Sequence, residues 1–462
     1  MKHSKHCNYL VLPSVIRVGE ETRVRIIPRA EHARFDNRFT DLGWGDVAPK
    51  QRFPEEWFTH DTAAVCRVKI VPFTTWHIPH NDGACDEYRI PVDEDGGLTV
   101  CVRSDAEQEI QIKVFSAVSG NLKCTFSIYA VRDDLFGKRA YKGDLHSHSI
   151  YSDGQQHYSE IAANYRASAF DFLALTDHFK RFPSVMMKQE YDALDCGLTL
   201  YHGEEVHVPD ITYHYVHIGG DYSVNEWFVD NREAYEAEFR EICDSIDMEN
   251  AYYRDFAARL TWIHRANKKA GGLSIFAHPN WRWVTQNVPD AVIDYAFSHG
   301  LMDVFELMGG QSVGENNIQL AVWQDWAAEG KRYPIVCSSD QHSVYRDGDI
   351  YPIYDGCYTI VFAEDPSFEV VGAAILNSEN VAVENMNMDR RTDFRAYGSR
   401  RYVAFAQFLW REFYPLYEYY CAPIGQMMKM YFEGDASALA AARREQLRAD
   451  DFAEKFFGRK PL

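Results

Sequence analysis

The sequence lacks the features that mark membrane, exported and disulfide-rich proteins. No apolar run approaches the roughly 20 residues that a membrane-spanning helix needs, and the short apolar stretch near the N-terminus meets Pro13. We therefore expect neither a signal peptide nor a membrane partner. The 10 cysteines are scattered without a CxxC motif, and a chain of 462 residues needs no disulfide framework to fold. We therefore predict a cytoplasmic protein whose cysteines are reduced thiols.

The sequence also lacks an excess of positive charge. It has 48 Lys and Arg against 68 Asp and Glu, which gives a net charge of −20. Because nucleic-acid-binding surfaces are normally basic, this balance argues against a nucleic-acid partner. The net charge does not exclude a small anionic substrate that binds in a local positive site. The 46% of hydrophobic and 25% of charged residues are ordinary for a folded protein.

The patterns along the chain predict three parts. Over residues 1–135, short β-branched segments separated by turn signals indicate a β-rich, sandwich-like domain. From 138 to 390, strand and helix patterns alternate, as in an α/β sheet or barrel whose parallel strands are joined by helices. The pattern of residues 225–270 within this part predicts a long helical insertion. The last part, 391–462, is helical and aromatic.

Histidine is abundant, with 18 residues, and the most informative ones lie in the segment 142–154, KGDLHSHSIYSDG. Alternate side chains of a strand share one face, so Asp144, His146 and His148 would point the same way. Two neutral imidazoles at this spacing can converge on Zn, Mn or Fe. A turn at Asp153 could return a carboxylate to the same place.

Four further apolar strands end in residues that commonly bind metals. Their motifs are LTDH at 175–178, GEE at 203–205, AHP at 277–279 and SDQH at 339–342. The C-terminal ends of parallel barrel strands meet at one rim. Each motif alone could be a capped loop, but all five together predict a multinuclear metal site.

In this order, the motifs DLHSHS-x-x-SDG, LTDH, GEE, AHP and SDQH resemble those of the PHP (polymerase and histidinol phosphatase) superfamily of metal-dependent hydrolases. The resemblance covers residues 140–385. It implies a distorted (β/α)7 TIM-like barrel with two or three divalent ions, Zn, Mn or Fe, at the strand ends. It further implies a set of metal ligands: His146, His148, Asp153, His178, Glu205, His217, His278, Asp340 and His342.

Two ligand positions stay open at this point. Glu204 and Glu205 are adjacent and should point apart, so only one can bridge two ions, and the resemblance favours Glu205. For the next ligand the resemblance favours His217 over His207 and His214. If 213–218 is a strand, His214 and His217 lie on opposite faces. His207 would share a face with Glu205.

The implied activity is hydrolysis by a metal-activated water. The first hypothesis is a phosphoesterase acting on a small phosphorylated metabolite. The alternative is a hydrolase of carboxylic or carbamic esters or amides that uses the same metals. A non-catalytic or nucleic-acid-processing module is a remote third hypothesis.

Residues close to the motifs suit both hydrolase hypotheses. The candidates for proton transfer are Asp177, His278 and His342, although a metal-bound residue cannot also serve as a free base. The candidates for binding a phosphate or carboxylate are Arg181, Arg282 and Arg346. An aryl ester would instead suit the nearby aromatic residues Tyr151, Trp281, Trp283 and Tyr345.

Overall fold

The computed structural model describes residues 6, 8–36, 64–73, 85–208, 213–282, 284–343, 356–385 and 394–461. The chain forms two compact units. The first comprises Met1–Arg139, Phe408–Tyr417 and Arg448–Leu462, and the second comprises Ala140–Gln407 and Glu418–Leu447. In the described ranges, no helix is both long and apolar enough to cross a membrane.

The first unit is built on β-strands. Its strands are β1 (Tyr9–Leu12), β2 (Val15–Arg17), β3 (Thr22–Pro28), β4 (Val65–Pro72), β5 (Asp86–Pro91), β6 (Leu98–Val102), β7 (Gln108–Ser116) and β8 (Leu122–Val131), and the short helix α1 (Asp133–Phe136) follows. They form two sheets with the orders β1-β3-β6 and β2-β8-β7-β4-β5. One hydrophobic core takes Val24 and Val100 from the smaller sheet and Ile112 and Ile128 from the larger. Alternate residues of β7 are buried, as expected for a strand with one solvated face.

The second unit is a mixed α/β structure, which confirms the predicted class at that level. Its strands are β9 (Arg139–Asp144), β10 (Phe172–Ala174), β11 (Thr199–Tyr201), β12 (Gly203–Val206), β13 (His214–Ile218), β14 (Leu273–Ala277), β15 (Val304–Met308), β16 (Ile335–Cys337), β17 (Cys357–Ala363), β18 (Asn380–Glu384) and β19 (Arg395–Tyr397). They form two sheets with the orders β11-β10-β9-β17-β18-β19 and β12-β13-β14-β15-β16. The pairs among β9, β10 and β11 and among β14, β15 and β16 are parallel. Antiparallel pairs join β12 to β13, β13 to β14, and β17 through β18 to β19.

Helices lie between these strands along the chain and follow the last of them. They are α2 (Tyr158–Ala167), α3 (Phe182–Tyr191), α4 (Val224–Asp230), α5 (Arg232–Ser245), α6 (Ala251–Ala270), α7 (Asp290–His299), α8 (Val313–Ala328), α9 (Phe368–Leu376), α10 (Arg400–Glu412), α11 (Tyr414–Phe432) and α12 (Ser437–Phe456). Two single 3₁₀ turns occur at Glu31–Ala33 and Asp192–Leu194. The start of α8 is fixed by a capping box between Ser312 and Glu315. Thus α4, α5 and α6 occupy the region that the sequence marks as a helical insertion.

The two sheets of the second unit meet where the sequence motifs lie. Parallel bridges join Ser147 to Gln341 and His178 to Glu205. On another edge, the Thr359 hydroxyl of β17 donates to the Cys337 carbonyl of β16 over 2.8 Å. The segments that follow β9, β10 and β16 are therefore held beside β12.

The spacing between β9 and β10 is set by a close approach of the Gly143 backbone to the Phe172 side chain. Gly143 pairs with Phe172, and a Cβ atom at Gly143 would lie 1.9 Å from the Phe172 ring. Phe172 is fully buried, so its ring has no free space into which to move. A glycine at 143 thus lets the strands that carry the first two motifs lie side by side.

We predict that Gly143→Ala destabilises the protein by about 1–3 kcal/mol, because the added methyl group overpacks the core against Phe172. The measurement is the shift in the urea midpoint of the full chain. Gly314→Ala is the matched control, since its new Cβ would meet nothing closer than the Ser312 hydroxyl at 3.8 Å. Equal midpoints for the two variants would contradict the packing explanation.

Candidate metal centre

The motifs converge on one cluster of histidines and carboxylates. The predicted ligands that the structure brings together are His146, His148, Asp153, His178, Glu205, His278, Asp340 and His342. All of them except Glu205, which is in β12, lie in segments that follow strands. His217 is the one predicted ligand that lies elsewhere.

The Glu205 carboxylate lies at the centre of this cluster. Its Oε2 atom is 3.4 Å from His146 Nε2, 3.3 Å from His148 Nε2 and 2.7 Å from His178 Nδ1. Its Oε1 atom is 2.7 Å from His214 Nδ1 and 3.3 Å from the imidazole of the AHP motif. Glu205 is fully buried. One carboxylate therefore faces two different sets of imidazoles through its two oxygens.

The cluster offers several overlapping groups of donors whose atoms lie within 4.8 Å of one another. In the described part of the chain these groups are His146 with His148 and Glu205, His148 with Asp153, His178 and His342, His178 with Glu205, His207 and His214, and His146 with His278 and Glu306. Shared members link the groups into one array. Such an array has room for more than one ion.

Buried donors without partners show that the residues fit divalent ions. Among the residues that the structure describes, no hydrogen-bond partner exists for His146 Nε2, His148 Nε2, either oxygen of Glu205, His214 Nδ1 or Asp340 Oδ1. Unpaired buried polar atoms are costly and rare, so these atoms need another partner. The separations between His146 or His148 Nε2 and Glu205 Oε2 or Asp340 Oδ1 are 3.1–3.4 Å. Two ligands of a tetrahedral ion with bonds of 2.0–2.1 Å lie about 3.3 Å apart.

The groups of the cluster shift one another's protonation. Burial lowers the pKa of His148 to about 4 and that of His214 to about 3. Burial also acts to lower the pKa of His178, but Glu205 and Asp153 outweigh it and raise that pKa to about 10. Burial would raise the pKa of Glu205, yet the surrounding imidazoles hold it well below its ordinary value. Ionised carboxylates and neutral imidazoles are the forms that bind metals, and Glu205, His148 and His214 are in those forms near neutral pH.

Strained backbone occurs at three positions of the cluster region. His278, Asp340 and Phe179 adopt φ values of 28°, 48° and 61°. Residues other than glycine rarely occupy this left-handed region, and such strain concentrates at functional sites. Here it occurs within five residues after three of the motifs' strands, so it belongs to the geometry of the segments that carry the ligands.

The structure places His217 apart from the cluster. Its Nε2 donates to the Gly271 carbonyl over 2.7 Å, and its Nδ1 is 3.5 Å from Glu204. His214, three residues earlier in β13, reaches Glu205 instead. The physical reason is the alternation of side chains along β13, which places the two histidines on opposite faces.

Glu204, next to the central carboxylate, has a separate role. It accepts hydrogen bonds from the Val224 amide at 2.6 Å, the Ser223 hydroxyl at 2.6 Å and the Asn225 amide group at 3.0 Å. These donors form the first turn of α4 and its cap. Of the two adjacent glutamates, Glu205 is thus the one that faces the cluster.

Asp177, a predicted candidate for proton transfer, accepts hydrogen bonds from a loop through both of its carboxylate oxygens. One carboxylate oxygen accepts from the Ser149 amide at 2.8 Å and the Ser152 hydroxyl at 2.6 Å, and the other accepts from the Ser149 hydroxyl at 2.7 Å. Both oxygens thus hold the turn between His148 and Asp153, and proton transfer by Asp177 stays a prediction.

The two predicted anion-binding arginines that the structure describes do not gather at the cluster. The Arg181 guanidinium donates to the Gly220 carbonyl and to His202 Nδ1, the latter over 3.1 Å. Arg282 is exposed, and its amide donates to Glu315. Arg346 lies outside the described residues, as do Trp283 and Tyr345.

The aromatic candidates that the structure describes lie beside the motifs. The Trp281 ring is 5.8 Å from the ring of His278. The Tyr151 ring lies 5.4 Å from that of Phe182 in an edge-on arrangement.

Sequence reasoning missed Glu306, a buried carboxylate in β15. Its Oε2 accepts a hydrogen bond from His146 Nδ1 over 3.0 Å, while Nε2 of the same ring faces the cluster. A carboxylate behind a metal-binding histidine fixes its tautomer and raises its basicity. The available signal was a single charged residue in the strand VFELM, all of whose residues are buried.

His207 and His214 were considered only as replacements for His217, and the structure places both in the cluster. His207 Nε2 lies 2.6 Å from His178 Nδ1. The rings of His207 and His214 are 3.9 Å apart. This edge of the cluster therefore holds one histidine more than the sequence motifs imply.

We predict that His214→Ala lowers the affinity for at least one metal ion by about tenfold or more, since even partners behind ligands contribute that much. The measurement is metal content after dialysis against a weak chelator. His217→Ala is the matched control: it removes the bond to Gly271 and costs about 1–3 kcal/mol of stability, with metal content unchanged. Metal loss in the His217 variant alone would reverse the assignment.

We predict that Glu306→Gln lowers metal affinity about 10–100-fold, because the amide no longer polarises His146. Competition with a chromophoric chelator measures the effect. Glu204→Gln, a change at an equally buried carboxylate, should leave affinity within about twofold. Indistinguishable affinities for wild type and Glu306→Gln would contradict this role.

Of the comparisons with known proteins, the one with solved structures finds matches, and their sequence identity to this chain is low. No family model matches the chain, and no curated protein matches it. A two-domain protein from Bacteroides vulgatus, containing a predicted PHP-like metal-dependent phosphoesterase, is 18% identical with a TM-score of 0.38, over 54% of this chain and 66% of that chain. The chain thus spans just under two thirds of that protein's length.

Two further structures cover more of the compared protein. A candidate metal-dependent phosphoesterase from Bifidobacterium adolescentis is 16% identical with a TM-score of 0.33, over 46% of this chain and 91% of that chain. An amidohydrolase from Chromobacterium violaceum, with bound sulfate and no metal, is 20% identical with a TM-score of 0.31, over 46% of this chain and 92% of that chain. PHP-like metal-dependent phosphoesterases are thus among the structures to which this chain is similar.

Proposed function

We propose that this chain is a metal-dependent hydrolase, and specifically a phosphoesterase that acts on a small phosphorylated metabolite. The observation that carries the proposal is the Glu205 carboxylate, which is fully buried and has no hydrogen-bond partner in the ranges that the structure describes, while imidazole nitrogens surround both of its oxygens. A purely structural glutamate in this position would need hydrogen-bond donors of its own.

The donor set divides into three parts that share Glu205. His146, His148 and Asp340 lie on one side of it. Asp153, His178 and His342 form the second part, and His214 and His278 form the third. We propose that these parts hold two or three divalent ions, Zn, Mn or Fe, because mixed imidazole and carboxylate sets suit those ions. A divalent ion held there supplies Lewis acidity and lowers the pKa of water toward neutrality.

The open side of the cluster determines where substrate enters. The side chains of Asp153 and His342 are 57% and 36% exposed, whereas those of His146 and His148 are fully buried. The His342 ring donates through Nδ1 to the Asp340 carbonyl over 2.9 Å, which fixes its tautomer and leaves Nε2 facing Asp153. We therefore propose that substrate approaches along Asp153 and His342.

The chain's own residues orient these groups. Asp177 holds the loop that carries Asp153, and Glu306 holds His146. His278 and His342 remain the proposed residues closest to the reacting groups, as ligands or as groups that exchange a proton with the substrate. A site that is positive when loaded with ions favours an anionic substrate even in a chain of net charge −20.

We extend the proposal to the architecture that positions the cluster. A distorted seven-stranded TIM-like barrel over 138–390 accounts for parallel strands on both sides of the site and for the bridges between Ser147 and Gln341 and between His178 and Glu205. The division into an N-terminal β-rich domain, this barrel and a helical extension from 391 onward is part of the same proposal.

A second candidate is hydrolysis of a carboxylic or carbamic ester or amide with the same metals. The hydrogen bonds of Arg181 favour it, because a guanidinium held by Gly220 and His202 has less freedom to bind a phosphate. The aromatic rings near the motifs favour it as well.

We predict that the metal-loaded full chain hydrolyses at least one class in a panel of phosphomonoesters, phosphodiesters and aryl esters. A chelator should abolish this activity, and Mn or Zn should restore it. The double variant of His146→Ala and His148→Ala should lose both metal and activity, while His217→Ala keeps both. Hydrolysis of aryl esters alone selects the second candidate. The absence of bound transition metal together with no hydrolysis after its addition would refute both.

A further inference from the structure

We infer that Phe179 forms the wall of a subsite for an apolar, and preferably aromatic, part of the substrate at the edge of the metal centre formed by His178 and His207. The inference rests on the proposed hydrolase function and adds the class of substrate. No motif reasoning marks this residue, because it lies just beyond LTDH.

Phe179 is tied to the cluster by backbone and ring contacts. Its amide donates to the Glu205 carbonyl over 3.3 Å. Its ring lies 4.4 Å from the ring of His207, inclined by 40°. His207 Nε2 in turn lies 2.6 Å from His178 Nδ1. The phenyl group therefore lies one side chain away from the groups proposed to bind metal.

Phe179 is both exposed and strained. It is 57% exposed, and its φ of 61° places it in the left-handed region. Glycine or asparagine would adopt this conformation at lower cost. An exposed phenyl group in a strained backbone adds nothing to the core, and such positions are frequent at binding sites. These two features together indicate a role in binding.

Other apolar side chains in the segments that follow the first two motifs are exposed as well. Ile150, Phe182 and Met186 are 51%, 41% and 36% exposed. Ile150 follows His148, and the edge-on pair of Tyr151 and Phe182 joins the loop after β9 to the start of α3. Exposed apolar groups gathered around a polar centre mark a binding surface.

The cations that follow Phe179 in sequence are directed elsewhere. The Lys180 ammonium donates to the Tyr151 carbonyl, and the Arg181 guanidinium donates to the Gly220 carbonyl. Of the three side chains at 179–181, the one that remains beside the cluster is thus the phenyl ring of Phe179. A group stacked on this ring would be an aryl or other flat apolar group, while the hydrolysed bond lies at the metals.

The test compares benzyl phosphate with ethyl phosphate, whose leaving alcohols have similar acidity but differ in the aryl group. If the panel selects carboxylic esters, benzyl acetate and ethyl acetate replace them. Phe179→Ala removes the wall and Phe179→Tyr keeps it. Tyr252→Ala is the matched control, because Tyr252 is 62% exposed in the same unit and its ring contacts are Tyr253 and Phe256. Metal content and thermal unfolding are measured for every variant.

In Phe179→Ala, kcat/KM for the benzyl substrate should fall about 3–10-fold, mainly through KM, as expected for the loss of an aromatic pair. The ethyl substrate should change less than about twofold, and metal content should stay the same. Phe179→Tyr and Tyr252→Ala should match wild type. Equal changes for both substrates in Phe179→Ala, or none for either, would overturn the inference.

Binding of benzylphosphonate and ethylphosphonate to the metal-loaded protein separates this inference from the proposed function. Tighter binding of the benzyl compound by wild type, lost in Phe179→Ala, supports the subsite even if neither ester is hydrolysed. In that case the hydrolase function fails on its own. Equal binding of both compounds by wild type counts against the subsite whatever the activity.

Discussion

The arrangement of the second unit depends on one buried carboxylate whose oxygens have no hydrogen-bond partner within the described ranges. Glu205 lies in the short strand β12 with imidazoles around both oxygens, and burying such a charge is costly unless positive charge compensates for it. The segments after β9, β10, β14 and β16 supply the surrounding groups. Gly143 sets how closely two of those strands approach. The fold is thus arranged so that the ends of several strands reach one charge.

Much of this could be predicted from the sequence, because strand ends are visible in the pattern and their polar residues are few. The predicted strand 213–218 differs from β13 by one residue at its start. His146 and His148 converge as alternate residues beyond a strand should. Alternation also separates His214 from His217, but it could not show which face turns toward Glu205. That depends on the register between β12 and β13, which pairs His217 with Glu204.

The layer behind the ligands was beyond sequence reasoning. Glu306 acts across 160 positions of sequence on His146, and nothing in a single chain reveals such a pair. Asp177 has the residue type and position of a catalytic group, yet its carboxylate accepts hydrogen bonds from three donors of one loop. Arg181 likewise follows a motif but bonds to a backbone carbonyl. Residue type and spacing identify donors and acceptors, whereas tertiary contacts decide which of them remain available.

The adjacent glutamates of β12 have a consequence for how the protein holds itself together. One side chain serves the cluster, and the next anchors the first turn of α4, at the start of the three-helix segment α4–α6. Asn225 strengthens the link by donating to the Glu205 carbonyl over 2.9 Å and accepting from the His207 amide. A displacement of this four-residue strand would disturb both partners at once. The helical insertion and the cluster are therefore both attached to β12, through two successive side chains that point to opposite faces of this strand.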